Sequence, residues 1–282
     1  MAEQSFSLGD VQLSVAALSD TGLKRAVNED SVLVHPPVFA VADGMGGYEA
    51  GDRASAAVVD AFRSRVLPGE FGSVDAVREA LVEAARSVAV VAGSTSRGAG
   101  STVAGVVAVL HEGVPHWLVF NVGDSRVYRH VGTELEQLTV DHSLGQELIE
   151  RGELLPEDLA TFPSRNVITR AIGAADSSAD SWLLPITSGE RLLICSDGLS
   201  GEVGDDSIRA ALTLGGRPWS VAETLVARAN RNGGRDNISV VIVDVVSGGE
   251  TVSVEFTTGE FGVVGAMEDS AVECTTRPVG GR

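Results

Sequence analysis

Short runs of apolar residues that do not alternate with polar ones constrain the fold of this chain most. They include "VFAVA" (38–42), "LVFNV" (118–122), "RLLIC" (191–195) and "NISVVIV" (237–243). A strand with one face in water alternates apolar and polar side chains, whereas a strand covered on both faces is apolar throughout. These runs therefore predict buried strands in sheets that are covered on both faces.

Amphipathic segments predict the helices that cover these sheets. Small and apolar residues recur at helical spacing over Glu49–Arg65 and over Val74–Ala92, where Gly93 ends the second helix. Two further helices are predicted over Asp205–Leu214 and Pro218–Arg231. Paired helices between series of strands indicate an α+β fold rather than alternating βαβ units. We predict a four-layer α-β-β-α sandwich, in which two stacked, mainly antiparallel sheets are flanked by helix pairs.

The strand-rich middle of the chain predicts a meander. Four short β-rich runs lie between Ser101 and Thr139. Glycine lies at each connection between them, and glycine favours tight turns. The predicted turns are Glu112-Gly113, Gly123-Asp124 and Gly132-Thr133. We therefore expect these four runs to form a single antiparallel meander.

The domain organisation follows from where the apolar signal stops. Residues 1–246 are predicted to form one domain, with a polar, partly helical insert at residues 145–164. From Ser247 onward Gly, Thr and Glu dominate and the apolar signal falls away. We expect residues 247–282 to be a mobile tail or to add one edge strand through "TVSVEF" (251–256).

Composition and charge exclude several classes of protein. The 282 residues carry a formal net charge of -18, whose field repels polyanions and disfavours a nucleic-acid or anionic-membrane partner. Two cysteines provide no disulfide framework. The N-terminus has neither the basic start nor the apolar block of a secretory signal, and no apolar stretch is long enough for a transmembrane helix. We expect a soluble, cytoplasmic protein, monomeric by default.

Aspartates lie at the ends of several of the predicted buried strands. Asp43 follows "VFAVA", Asp197 follows "RLLICS", Asp124 follows "LVFNVG" and Asp236 precedes "NISVVIV". Most of these aspartates lie beside a glycine, and a single aspartate of this kind is typical of an ordinary turn. Four of them, together with "NED" at residues 28–30, predict instead a site built from oxygen ligands.

The ligand types indicate which metal such a site would hold. Carboxylate and carbonyl oxygens suit Mg²⁺ or Mn²⁺, and two such ions among several carboxylates can activate water. The chain has no zinc motif, calcium loop, P-loop or G-x-S-x-G element. Cys195 is followed by "SDGLSGEVG", which lacks the arginine that a cysteine phosphatase needs. Metal-assisted hydrolysis is the chemistry that this pattern favours.

Seven short motifs, taken in order, resemble those of a known family. The motifs are "RAVNED", "DGMGG", "GST", "GDSR", "DHS", "SDGL" and "RDN". Over about residues 10–246 the series is similar to that of the metal-dependent (PPM, or type 2C) serine/threonine protein phosphatases, and "DGMGG" and "NVITRAIG" are similar to bacterial members. The resemblance implies a β-sandwich flanked by helix pairs. It also implies hydrolysis of phosphoserine and phosphothreonine in proteins by water activated between two Mn²⁺ or Mg²⁺ ions, in opposition to a bacterial serine/threonine kinase.

The resemblance assigns metal-binding roles to matching positions. Asp43 would bridge the two ions, and the carbonyl of Gly44 would bind one of them. Asp197 and Asp236 would complete the shell of the other ion. Asp124 matches the residue that joins Asp197 at the third ion of bacterial members, so a third ion stays open here.

The resemblance also assigns supporting roles. Glu29 and Asp30 would act through ordered waters on the metals, and Thr102 would support the acidic centre from beneath. Arg25 would grip the substrate phosphate, for which a guanidinium offers two parallel donors.

The proton donor to the leaving group is not assigned by the resemblance. Eukaryotic relatives are thought to use a histidine directly after "DG", where this chain has Met45, and a thioether cannot donate a proton. His142 in "DHS" is a candidate by residue type, and a water on the metal is an equal one. Residues 145–164 match the family's variable flap beside the active site.

Two other classes of function stay open. The chain could be a catalytically dead phosphatase-like domain that binds phosphoproteins or a regulatory partner. It could also be a scaffold whose Asp-Gly pairs are only turns. The presence of Asp43, Asp197 and Asp236 favours the enzyme, since dead relatives usually lose a metal carboxylate, and the fixed order of the motifs disfavours the scaffold.

Overall fold

The strands and helices were assigned from a computed structural model that describes residues 3–46, 50–96 and 98–250. Its strands are β1 (Gln4–Leu8), β2 (Val11–Asp20), β3 (Asp30–His35), β4 (Val38–Met45), β5 (Gly100–Ser101), β6 (Val103–His111), β7 (Val114–Val122), β8 (Arg126–Val131), β9 (Glu134–Gln137), β10 (Asp180–Pro185), β11 (Arg191–Cys195) and β12 (Ile238–Ser247). Its α-helices are α1 (Gly51–Arg65), α2 (Val74–Gly93), α3 (Leu144–Glu150), α4 (Asp197–Ser200), α5 (Asp205–Leu214) and α6 (Pro218–Asn232). A 3₁₀ helix spans Pro156–Thr161.

The strands form two antiparallel sheets. The first sheet has the order β1-β2-β12-β11-β8-β9, and the second has the order β10-β7-β6-β4-β3, with β5 paired to β4. One apolar cluster fills the space between the sheets, a second packs α1 and α2 onto the second sheet, and a third packs α5 and α6 onto the first. The predicted four-layer α-β-β-α sandwich is confirmed.

The three apolar clusters explain the apolar runs in the sequence. In β12, Val241 and Val243 face the other sheet, while Val240 and Ile242 face the helices. A residue on either face of such a strand is buried, so neither face needs polar side chains. The runs were therefore a correct indication of strands covered on both sides.

The predicted meander is wrong at its second turn. β6 and β7 form a hairpin, and so do β8 and β9, but β8 pairs with β11 rather than with β7. The chain passes from one sheet to the other at Gly123-Asp124, where Gly123 has a φ of 109° that only glycine adopts readily. Glycine favours both a hairpin and a crossover, and the sequence alone did not distinguish them. Strands β1 and β10 were not predicted.

The predicted helices agree with the structure to within a residue or two. Helix α2 begins after Ser73, whose hydroxyl accepts a hydrogen bond from the Ala76 amide at 3.1 Å, and it ends at Gly93. The first helix was predicted to begin at Glu49, which lies outside the described residues. Among the described residues, α1 begins at Gly51.

The polar insert is partly helical, as predicted, because it contains α3 and the 3₁₀ helix. The tail predicted over residues 247–282 lies outside the described residues except for residues 247–250, of which Ser247 ends β12. Among the described helices, none is long and apolar enough to cross a membrane.

Packing of α1 onto the second sheet generates a stability prediction. The rings of Phe62 on α1 and Phe120 on β7 are stacked, with centroids 4.8 Å apart, and both side chains are fully buried. The Phe62→Ala variant should lose about 3–5 kcal/mol of unfolding free energy, because it leaves a cavity between helix and sheet. Urea unfolding would measure the loss, with Leu214→Ala at an 86% exposed position as control. A loss no larger than that of the control would contradict the packing described.

Candidate metal centre

Asp43 and Asp30 face each other at one end of the second sheet. They are paired residues of β4 and β3, so their backbones are neighbours. Thr102 fixes the backbone of Asp43 on the other side: its hydroxyl accepts from the Asp43 amide at 3.0 Å, and its own amide donates to the Asp43 carbonyl at 2.8 Å. The Thr102 hydroxyl also bonds that of Ser125 at 2.7 Å. Thr102 thus binds the backbone of Asp43, while the supporting role that the resemblance implies for it stays a prediction.

The first sheet brings further carboxylates to the same place. Asp197 is the first residue of α4, directly after β11, and Asp236 lies just before β12, the neighbouring strand. The hydroxyl of Ser196 donates to Asp30 Oδ2 at 2.8 Å, which joins the two sheets across the centre. Strand ends 166 residues apart in the chain therefore meet at one edge of the sandwich.

The carboxyl groups at this edge oppose one another's ionisation. Burial raises the pKa of Asp43 well above its usual value, and the charges of Asp30, Asp197, Asp124 and Asp236 raise it further. Burial also raises the pKa of Asp30, to about 6, with smaller contributions from Asp197 and Asp236. The pKa values of Asp124 and Asp197 are raised in the same way, by burial first and by a neighbouring aspartate second. Such a group of carboxylates requires protons or cations.

Two observations indicate that cations fit. The oxygens Asp30 Oδ1 and Asp197 Oδ1 are buried without a hydrogen-bond partner, which is costly unless something else satisfies them. All the acidic groups offer hard oxygen donors, which Mg²⁺ and Mn²⁺ prefer. No three His, Cys, Asp or Glu side chains of the described residues form a closed ligand cage. Backbone carbonyls and waters are also ligands of Mg²⁺ and Mn²⁺, so the carboxylates at this edge need not enclose a cation by themselves.

Gly44 and Glu29 lie against the beginning of α1. A Cβ added to Gly44 would come within 2.0 Å of the Gly51 carbonyl oxygen, so no side chain fits there. The Gly44 amide donates to the Glu29 carbonyl at 3.2 Å, and the Ser55 hydroxyl donates to the same carbonyl at 2.6 Å. Burial raises the pKa of Glu29, against the opposing effect of Arg25. Both residues are thus adjacent to Asp43, although their predicted roles toward a metal stay predictions.

Arg25 lies beside the acidic edge and is half exposed. Its Nη2 donates to Asp236 Oδ2 at 2.7 Å, and its side chain keeps 49% of its surface accessible. One guanidinium carries five N–H donors, so this contact leaves others for an anion. The position suits the predicted phosphate-binding role, which stays a prediction.

The structure argues against His142 as the proton donor. Only 4% of its surface is exposed. Its Nδ1 accepts from the Gly123 amide at 3.1 Å, and its Nε2 lies 3.2 Å from Asp180 Oδ2. Because both ring nitrogens are engaged inside the protein, neither can reach a substrate. Met45 lies opposite Gly100 across β4 and β5, where a Cβ on the glycine would be 3.3 Å from Met45 Cγ.

Sequence reasoning missed the role of Asn237. This buried amide donates to the carbonyls of Thr21 and Val27 at 2.9 and 3.0 Å and accepts from the Glu29 amide at 2.9 Å. It therefore holds the loop that carries Arg25. Ser196 and Ser125 were missed as well. All three lie within the motifs "RDN", "SDGL" and "GDSR", so the motifs contained the signal, but spacing does not reveal hydrogen-bond partners.

The comparisons with known proteins agree with this geometry. The sequence pattern of the family described as "Protein phosphatase 2C" matches residues 24–236, more than half of the chain. The chain belongs to this family. Its relatives include the serine/threonine protein phosphatase PstP of Mycobacterium tuberculosis, which is 38% identical over 237 residues. That alignment covers 83% of this chain but only 45% of PstP, so the chain spans less than half of this curated relative.

Solved structures of the family share the fold. The crystal structure of the Mycobacterium tuberculosis phosphatase PstP/Ppp is similar with a TM-score of 0.77 and 33% identity, over 83% of this chain and 99% of the other. The catalytic domain of PstP in complex with two manganese ions is similar with a TM-score of 0.73 and 32% identity, over 84% and 99%. The antiparallel sandwich with flanking helices is thus the fold of this family.

The raised pKa of Asp30 generates a pH prediction. The folded-state pKa of about 6 exceeds the ordinary 3.8, so the folded protein binds this proton more tightly than the unfolded chain does. Protonation of Asp30 therefore contributes its full stabilisation of the folded state below the ordinary pKa of 3.8, and this contribution is lost as pH rises through about 6. Without metal, Asp30→Asn should therefore exceed the wild type in unfolding free energy at pH 7.5, by up to about 3 kcal/mol, and should differ little at pH 4.5.

Urea unfolding in EDTA at the two pH values would measure this difference. Added Mn²⁺ should stabilise the wild type more than the variant at pH 7.5, because the cation offsets the charge of Asp30. A variant less stable than the metal-free wild type at pH 7.5 would show that the Asp30 carboxylate is not under repulsion.

Proposed function

We propose that this chain hydrolyses phosphoserine and phosphothreonine side chains of proteins with two Mn²⁺ or Mg²⁺ ions. The observation that carries the proposal is the convergence of Asp43, Asp197 and Asp236, from both sheets, on one acidic edge beside Arg25. Membership of the protein phosphatase 2C family and the two manganese ions of a relative support the same reaction.

The proposed ligands are the carboxylates of Asp43, Asp197 and Asp236 and the carbonyl of Gly44, with Asp124 and Asp197 at a third ion. Bound Mn²⁺ or Mg²⁺ makes water nucleophilic at neutral pH and offsets the charge of a phosphoryl group. The unsatisfied Asp197 Oδ1 and the raised pKa of Asp124 support this set of ligands.

The remaining residues orient these groups and the substrate. Arg25 binds the phosphate of the substrate and opposes the charge that grows on its oxygens. Thr102 holds the Asp43 backbone, while Glu29 and Asp30 bind ordered waters at the edge of the centre. Neither Met45 nor His142 protonates the leaving alkoxide, so its proton comes from water in the open cleft.

A cleft of about 500 Å³ continues from the acidic edge and is the proposed site for the substrate chain. The residues that line it include Asp197 and Asp236 and, from the insert, Pro156 and Leu159. We propose that the insert, residues 145–164, acts as a flap that contacts the residues flanking the phosphorylated one, within a catalytic domain of residues 1–246.

The proposed setting is the bacterial cytoplasm, where the protein would oppose a serine/threonine kinase as a monomer. A charge of -18 supports protein substrates over nucleic acids or anionic membranes. The kinase, the substrates and the location rest on the family and the sequence alone.

Removal of a metal carboxylate tests the proposed reaction. Hydrolysis of a phosphothreonine peptide should require Mn²⁺, and Asp197→Ala should reduce kcat by at least about 10³-fold, because one of the proposed metal carboxylates is lost. Asp206→Ala, at a 94% exposed side chain, should behave as the wild type. A folded wild type that binds Mn²⁺ without turnover would instead favour a catalytically dead phosphopeptide-binding domain.

Arg25 is tested separately from the metals. At saturating Mn²⁺, Arg25→Ala should lower kcat/KM by about 10²-fold, because a charged donor to the phosphate is lost. Arg25→Lys should recover part of the loss, since it keeps the charge but not the two parallel donors. The exposed Arg78→Ala is the matched control. If Arg25→Ala had the full wild-type kcat/KM at saturating Mn²⁺, Arg25 would act through Asp236 rather than on the phosphate.

A further inference from the structure

Gly123 is one of the points at which the loop that carries Asp124 is bound, and Ser125 is another. Gly123 precedes Asp124 and has a φ of 109°, a conformation that must be maintained by its surroundings. Its amide donates to His142 Nδ1 at 3.1 Å. Its carbonyl accepts from the His142 amide at 2.9 Å and from the Asn121 side chain at 3.0 Å. Both backbone polar groups of Gly123 are therefore bound, and His142 supplies two of the three contacts.

The hydrogen bonds determine the tautomer of His142. An amide can only donate, so Nδ1 must be the acceptor and the ring proton must lie on Nε2. Nε2–H then donates to Asp180 Oδ2 at 3.2 Å. Arg170 Nη1 donates to Asp180 Oδ1 at 3.1 Å. Arg170 Nη1 also lies 3.3 Å from His142 Nε2, but both of these nitrogens are donors, so no hydrogen bond joins them. The pair of Asp180 and Arg170 thus keeps the imidazole turned toward Gly123.

His142 also connects this loop to the insert. Its carbonyl accepts from the Thr169 amide at 2.8 Å, on the segment that returns from the insert. The next residue, Ser143, caps α3, its hydroxyl accepting from the Gln146 amide at 3.3 Å. The backbone of His142 therefore links the Asp124 loop to the insert.

We propose that His142 is a positioning residue for Asp124: its neutral ring, protonated on Nε2, fixes the Gly123 peptide and so the direction of the Asp124 carboxylate. Asp124 and Asp197 line the same cleft, so the direction of one relative to the other determines whether both can bind one cation. The inference rests on the proposed function as far as it concerns the cation, but the tautomer and the hydrogen bond to Gly123 do not depend on it.

Two substitutions separate the functions of the two ring nitrogens. Asn places its Oδ1 near the position of Nδ1 and can still accept from Gly123, whereas Gln places its amide near Nε2 and leaves the Gly123 amide unpaired. His142→Gln should therefore bind Mn²⁺ about 10-fold more weakly at its weakest site, the size of effect seen when partners of metal ligands are removed. His142→Asn should recover most of that affinity.

Calorimetric titration with Mn²⁺ reads out the affinity without requiring turnover. His130→Gln is the matched control, because His130 is also buried and bonds Thr213 on the far side of the first sheet. It should lose stability but keep the wild-type affinity. Asp180→Ala, at a side chain that is 43% exposed, should shift the affinity in the same direction as His142→Gln but less.

Long-range ¹H–¹⁵N correlation spectra provide a second, independent readout. The signals of His142 are identified as those that the wild type shows and His142→Gln lacks. They should be those of a neutral ring with its proton on Nε2. A proton on Nδ1, equal Mn²⁺ affinity in the Gln and Asn variants, or an equal loss of kcat in both at unchanged affinity would overturn the proposal. If the wild type bound no Mn²⁺, the proposed function would fail, and the tautomer would still decide the role of His142.

Discussion

The burial of several carboxylates that also repel one another is the constraint on which the rest of this structure depends. Asp30, Asp43, Asp124 and Asp197 all have raised pKa values, and in each case burial is the largest cause. A protein gains nothing in stability from such an arrangement unless a cation occupies it. The sandwich must therefore supply enough buried apolar area to hold these groups together before any ligand is present, and its three apolar clusters supply that area.

The neutral residues around the centre act mainly on the backbone. Thr102 binds the main chain of Asp43, Asn237 binds the loop of Arg25, and His142 binds the peptide before Asp124. The side chains of these three residues bind main-chain groups and leave the carboxylates of Asp43 and Asp124 to other partners. This division suits a metal site, because a carboxylate that is already satisfied by protein donors is a poorer ligand.

The strand-end aspartates show what sequence could predict. A buried strand and the residue that ends it are local features, so Asp43, Asp197 and Asp236 could be placed at sheet ends from apolar runs alone. Which strands become neighbours is not local, and for this reason the crossover at Gly123 was mistaken for a hairpin turn. His142 was misjudged for a related reason. Its residue type indicates proton chemistry, whereas its burial and its bond to Gly123 follow only from the packed fold.

The position of β12 has a consequence for synthesis of the protein. This strand is the last of those described, yet it lies inside the first sheet between β2 and β11, and Asp236 lies two residues before its first residue. A nascent chain that ends before it has a sheet with a missing centre, and Arg25 has no partner 211 residues downstream. The group of Asp43, Asp197 and Asp236 is therefore complete only once the last described strand has been made and has paired with β2 and β11.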